Sequence, residues 1–127
     1  RSGSGKSTFA ALARDRLADE LAVVLPAGEG FRVHGTPWWS GRPGSAPLAA
    51  VHALAWEGEG TEPLPPAEAL RHLTSSLVVP SGGPPALARA FEVAGAVAAA
   101  VPFGRLSFRR HSDVDSILRH GASARAA

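Results

Sequence analysis

The chain has 127 residues, thirteen Lys plus Arg against eleven Asp plus Glu, a formal net charge of +2 and no cysteine. That length suits one domain, or a large part of one, with its own core. The absence of cysteine excludes disulfides and thiolate metal sites. No apolar run approaches the ~20 residues of a membrane span, and the N-terminus carries no signal-peptide pattern, so a cytoplasmic location with no membrane partner is expected.

The opening stretch Arg1-Ser2-Gly3-Ser4-Gly5-Lys6-Ser7-Thr8 matches the back half of a phosphate-binding loop, Gly-x4-Gly-Lys-Ser/Thr. Gly5 is the second glycine of that pattern, and the first would stand one place before Arg1, so the strand that normally precedes the loop is expected to be missing from this chain. Gly3 and Gly5 let the backbone take positive φ and turn several amide N–H groups into one concavity. Ser4 and Thr8 complete the cradle for the phosphates of ATP, Lys6 reaches the β- and γ-phosphates, and the Ser7 hydroxyl is placed to ligate Mg²⁺. Lys6 is the only lysine in the chain, which fits a position where a compact, flexible ammonium is needed.

A first helix is predicted from about Gly5 to Arg16, burying Phe9, Leu12 and Ala13. A strand is predicted over 17–25, a turn over Pro26 to Gly30, and a return strand over Phe31 to His34. The stretch from Gly35 to Gly44, with two prolines and the pair Trp38-Trp39, reads as a structured loop whose aromatics either cover the core edge or line a site. Residues 46–56 read as a helix or a buried strand, ended by Gly58-Glu59-Gly60. A short helix follows from Pro66 to Leu73, then a longer one from Ala86 to Val101, closed by Pro102, with Leu87, Ala90, Phe91, Ala94 and Val97 on one face. The alternation over Arg105 to Arg109 suggests an edge strand, and a last helix from Asp113 to Arg119 is expected to be capped by Ser112 and followed by a frayed tail. Arg105, Arg109, Arg110, Arg119 and Arg125 read as a solvated face rather than a nucleic-acid surface, since Phe103 and Phe108 are the only interleaved aromatics.

A phosphate loop needs a carboxylate for Mg²⁺ or its water shell. With four aspartates in the chain, the adjacent pair Asp19-Glu20 is the best placed. On a strand the two would point to opposite faces, one toward the phosphates and one toward the substrate. Continuation of the first helix, with both acids solvated, is the competing reading.

The order of these pieces resembles the HPr serine kinase-like proteins, relatives of phosphoenolpyruvate carboxykinase in their nucleotide site. The resemblance rests on Gly3 to Thr8, on the stretch from Leu17 to Val24, on the hairpin, and on His34-Gly35-Thr36-Pro37-Trp38 with Ser45 to Leu48 after it. It implies an α/β fold, a P-loop-containing mixed sheet with flanking helices, here a single partial domain. It also implies a Mg-ATP-dependent transfer of the γ-phosphoryl group to a hydroxyl, for instance a serine of a protein or peptide. Lys6, Asp19 and Glu20 would be the catalytic residues, with Ser7 and Asp19 at the metal. The family more often has Asp-Asp where this chain has Asp19-Glu20, and the gap from Lys6 to Asp19 is about four residues shorter than the family's habit, roughly one helical turn. A shortened helix of that kind makes a non-catalytic nucleotide-binding or scaffold protein the principal alternative, and the loop alone is also compatible with a small nucleoside-type kinase. A transporter-type ATPase is less well supported, since the nearest thing to its signature, Pro80-Ser81-Gly82-Gly83-Pro84, has proline where glutamine belongs.

Overall fold

A computed structural model describes residues 5–18, 20–38, 40–56, 58–79 and 81–126, the last six by their backbone alone. It is a mixed α/β structure with two three-stranded sheets and four helices among the described residues. None of those helices is long and apolar enough to cross a membrane.

Helix α1 is Lys6–Leu12, one turn shorter than periodicity predicts. Ala13 leaves the helix in an extended conformation, φ −72° and ψ 136°. Beyond it, tertiary partners replace helical ones: Arg14 bonds Asp115 through its backbone N–H at 3.4 Å, and the Arg16 guanidinium reaches back to the Ala10 carbonyl at 3.3 Å.

The predicted hairpin is present. Strands β1 (Ala22–Ala27) and β2 (Gly30–Gly35) pair antiparallel around a two-residue Gly28-Glu29 turn, and β3 (Ser45–Pro47) pairs with β2. Pro26 lies inside β1 rather than in the turn. It is tolerated because β1 is an edge strand and one missing donor can face outward.

The second sheet has the order β4-β6-β5, with β4 at Val51–Ala55, β5 at Gly60–Pro63 and β6 at Phe103–Ser107. Residues 46–56 therefore divide between β3 and β4, and β5 occupies a stretch read only as a break. β6 is the central strand, not an edge. It pairs parallel with β4 (Leu54 opposite Leu106) and antiparallel with β5 (Thr61 opposite Leu106). Its alternation misled because Arg105, the one exposed residue of the strand, is an ion-pair partner across the sheet: its Nη1 lies 2.6 Å from Glu62 Oε1.

Helices α2 (Pro66–Ser76) and α3 (Gly83–Ala100) carry the chain from β5 back to β6. They meet through small side chains, with Ala69 and Ala98 buried against Phe103. The packed face of α3 is thus Ala94, Val97 and Ala98, whereas Leu87 and Phe91 of the expected stripe are exposed. Helix α4 is Val114–Ala126, so the backbone stays helical where fraying is expected. Its cap is Asp113, whose carboxylate accepts the Ser116 backbone N–H at 3.0 Å, and not Ser112. Such a cap contributes ~1 kcal/mol. Ser112 has other work: its buried hydroxyl accepts the Arg109 N–H and donates to Glu59.

The second apolar cluster seats the chain's opening helix. Leu106, Phe108 and Val114 are fully or nearly fully buried, and Phe9, Leu12, Leu54 and Ile117 pack on them.

Candidate functional site

Gly5 precedes α1 in the left-handed region, φ 85° and ψ 6°. A β-carbon there would stand 2.8 Å from Trp56 Cζ2 and 3.0 Å from Phe108 Cζ. Glycine is therefore demanded twice, by conformation and by space. The rings that crowd it form a stack: Phe9 meets Phe108 edge-on at 5.3 Å and 78°, and Trp56 lies over Phe108 at 4.9 Å and 31°. Trp56 follows the last residue of β4, and Phe108 the last of β6. The Gly5 to Thr8 stretch consequently rests at the carboxyl ends of two parallel strands, where α/β sheets commonly bind ligands. Lys6 and Ser7 are exposed and Thr8 is half-buried. Gly3 and Ser4 lie outside the described residues.

The acid pair does not stand on a strand as expected. Asp19 lies outside the described residues, and Glu20 is an exposed residue in a bend ahead of β1. The carbonyls on either side are engaged elsewhere: Leu17 accepts the Arg42 backbone N–H at 2.7 Å, and Leu21 accepts the Thr36 hydroxyl at 2.8 Å. Those bonds hold the segment to the loop after β2 instead of to a strand ladder. The facing argument from strand alternation therefore does not apply to Glu20.

The Thr36–Leu21 bond joins two motif segments, the acidic one and the stretch from His34 to Trp38. Their backbones approach closely, since a β-carbon on Gly35 would lie 3.0 Å from the Leu17 carbonyl oxygen, and the loop also folds tightly on itself, a β-carbon on Gly41 falling 1.7 Å from the Thr36 carbonyl oxygen. His34 ends up half-buried within β2, paired with Val23 and Ser45. Trp38 is 55% exposed, so it does not cover the core, and the Arg42 side chain is exposed too. Trp39 lies outside the described residues.

Sequence reasoning missed a cleft of about 720 Å³ beside the loop. Its walls include Trp56, Glu59, Thr61, Glu62, Arg105 and Ser107. Arg105 and Glu62 pair across one side, and Glu59 is fixed by the Ser112 hydroxyl. The signal was present in Gly58-Glu59-Gly60 followed by Thr61-Glu62, but two glycines read as punctuation hid a strand and its charges.

Among the described residues no group of three or more His, Cys, Asp or Glu side chains converges as a metal cage. An exposed Ser7 hydroxyl is nonetheless the kind of hard oxygen donor that Mg²⁺ accepts, since that ion is commonly held by one or two protein oxygens plus substrate phosphates. Comparison with family models, with curated proteins and with solved structures finds no match for this chain.

Proposed function

We propose that this chain binds Mg-ATP through Gly3, Ser4, Gly5, Lys6, Ser7 and Thr8 and passes the γ-phosphoryl group to a hydroxyl, in the manner of the HPr serine kinase-like proteins it resembles. The acceptor would be a serine of a protein or peptide. One observation carries this reading: Gly5 is left-handed and backed by Trp56 and Phe108, at the carboxyl ends of β4 and β6, with Lys6 and Ser7 exposed beside it. An ammonium, a hydroxyl and the backbone N–H groups of a left-handed turn ahead of a helix are the donors a polyphosphate requires. Ser7 and Asp19 would hold Mg²⁺, whose chemistry is to neutralise charge on the phosphates. Lys6 would orient the terminal phosphates, and Asp19 with Glu20 would align the acceptor hydroxyl and take its proton.

The placement of Glu20 in an exposed bend supports a second reading, nucleotide binding without transfer. Calorimetric titration with ATP tests the common premise. Binding is expected in Mg²⁺, weakened about tenfold or more when EDTA removes the metal. No heat of binding under either condition would refute both readings. Turnover of a serine peptide by the ATP-bound chain decides between them.

A further inference from the structure

We infer that the cleft at the end of β4 receives the base and sugar of the nucleotide whose phosphates the Gly3 to Thr8 loop takes, with Trp56 as the stacking surface. The inference rests on that reading of the loop.

Position comes first. Trp56 both lines the cleft and crowds Gly5, so the cleft opens directly beside the phosphate loop along a single side chain. Its size, about 720 Å³, falls within the ~300–1,000 Å³ of small-molecule sites.

Rigidity follows from the aromatic stack. Phe108, fully buried, lies against the indole at 4.9 Å and fixes its plane, while Trp56 keeps 40% of its surface exposed. An aromatic plane that is already held loses little freedom when a base stacks on it.

Charge then selects the occupant. Among the described residues Glu59 and Glu62 face the cleft with Arg105, so carboxylates there outnumber the guanidinium, and Glu62 already neutralises it. A polyanion, such as a phosphopeptide or the triphosphate itself, is repelled. A neutral group rich in N–H donors is favoured, because an ionised carboxylate only accepts hydrogen bonds. A nucleobase with ring and exocyclic N–H groups meets that demand, and the Thr61 and Ser107 hydroxyls can serve the sugar's hydroxyls. The nucleotide is thereby given one orientation, base toward the carboxylates and phosphates toward Lys6.

The test is titration of the full chain in Mg²⁺ with ATP and, separately, with inorganic tripolyphosphate, which has the phosphates and no base. The wild type is compared with Trp56→Leu and Trp56→Phe, and circular dichroism checks that each is folded. Trp56→Leu is expected to weaken ATP about tenfold or more and to leave tripolyphosphate unchanged, with Trp56→Phe recovering most of the loss. Equal weakening of both ligands would make Trp56 a support for the loop and overturn the inference. Unchanged ATP affinity would also overturn it and leave the cleft to the acceptor. Failure of tripolyphosphate to bind the wild type would instead refute the loop reading, and the inference with it.

Discussion

Phe108→Ala is expected to lower the unfolding free energy by about 3–5 kcal/mol, the range for deleting a buried phenyl ring. The ring is fully buried and touches three parts of the chain at once: Phe9 from α1, Trp56 from the end of β4, and the Leu106 and Val114 cluster beneath. None of these neighbours can close the hole easily. Leu106 is held in the central strand, and Trp56 is stopped by Gly5. A cavity is therefore left with little relaxation, which places the cost at the upper end. For a chain of this size the melting temperature should fall by roughly 10–20 °C, as read by circular dichroism. A shift of only a few degrees would mean that α1 and Trp56 do not converge on this ring.

Lys6→Ala should cost Mg-ATP at least about a hundredfold in affinity, read by the same titration. Every other permanently cationic side chain is arginine, whose planar fork is too long and too rigid to take the place of an ammonium rising from the first position of α1. Lys6 is exposed, so removing it opens no buried void, and stability should change by no more than ~1 kcal/mol, the scale of an exposed contact. Loss of binding with an unchanged melt identifies a ligand contact. Retained affinity would remove the phosphate-loop assignment.

The two variants mark what the sequence made legible and what it did not. The helices α2 and α3 were readable because Pro66 opens one and Pro102 closes the other, and the β1–β2 hairpin because alternation flanks a Gly-rich turn. Local chemistry decides such features. β5 was not readable, because its four residues contain a glycine and a proline and owe their strand geometry to β6. Nor was the centrality of β6, since an exposed Arg105 mimics an edge until Glu62 is seen opposite it. In the candidate site, the positive φ of Gly5 ahead of a helix was legible from a motif whose physics is local. Glu20 was misplaced because long-range bonds from Thr36 and Arg42 overrode the strand pattern, and Glu59 was overlooked because it gains its setting from Ser112, distant in sequence.

The sheet formed by β1, β2 and β3 has no buried residue along any of its strands and contributes none to either apolar cluster. β6, by contrast, is mostly buried. Local opening of the hairpin sheet should thus require far less free energy than global unfolding. In deuterium exchange, amides of Val24 and Val33 should exchange well before that of Leu106, and matched rates would contradict this. Leu17 and Leu21 are bonded to the loop that leaves the hairpin, whereas Gly5 is packed on the ring stack beside β6. The acidic segment and the Gly5 to Thr8 stretch therefore belong to regions of unequal persistence, and their relative placement can be lost and regained while the core stays folded.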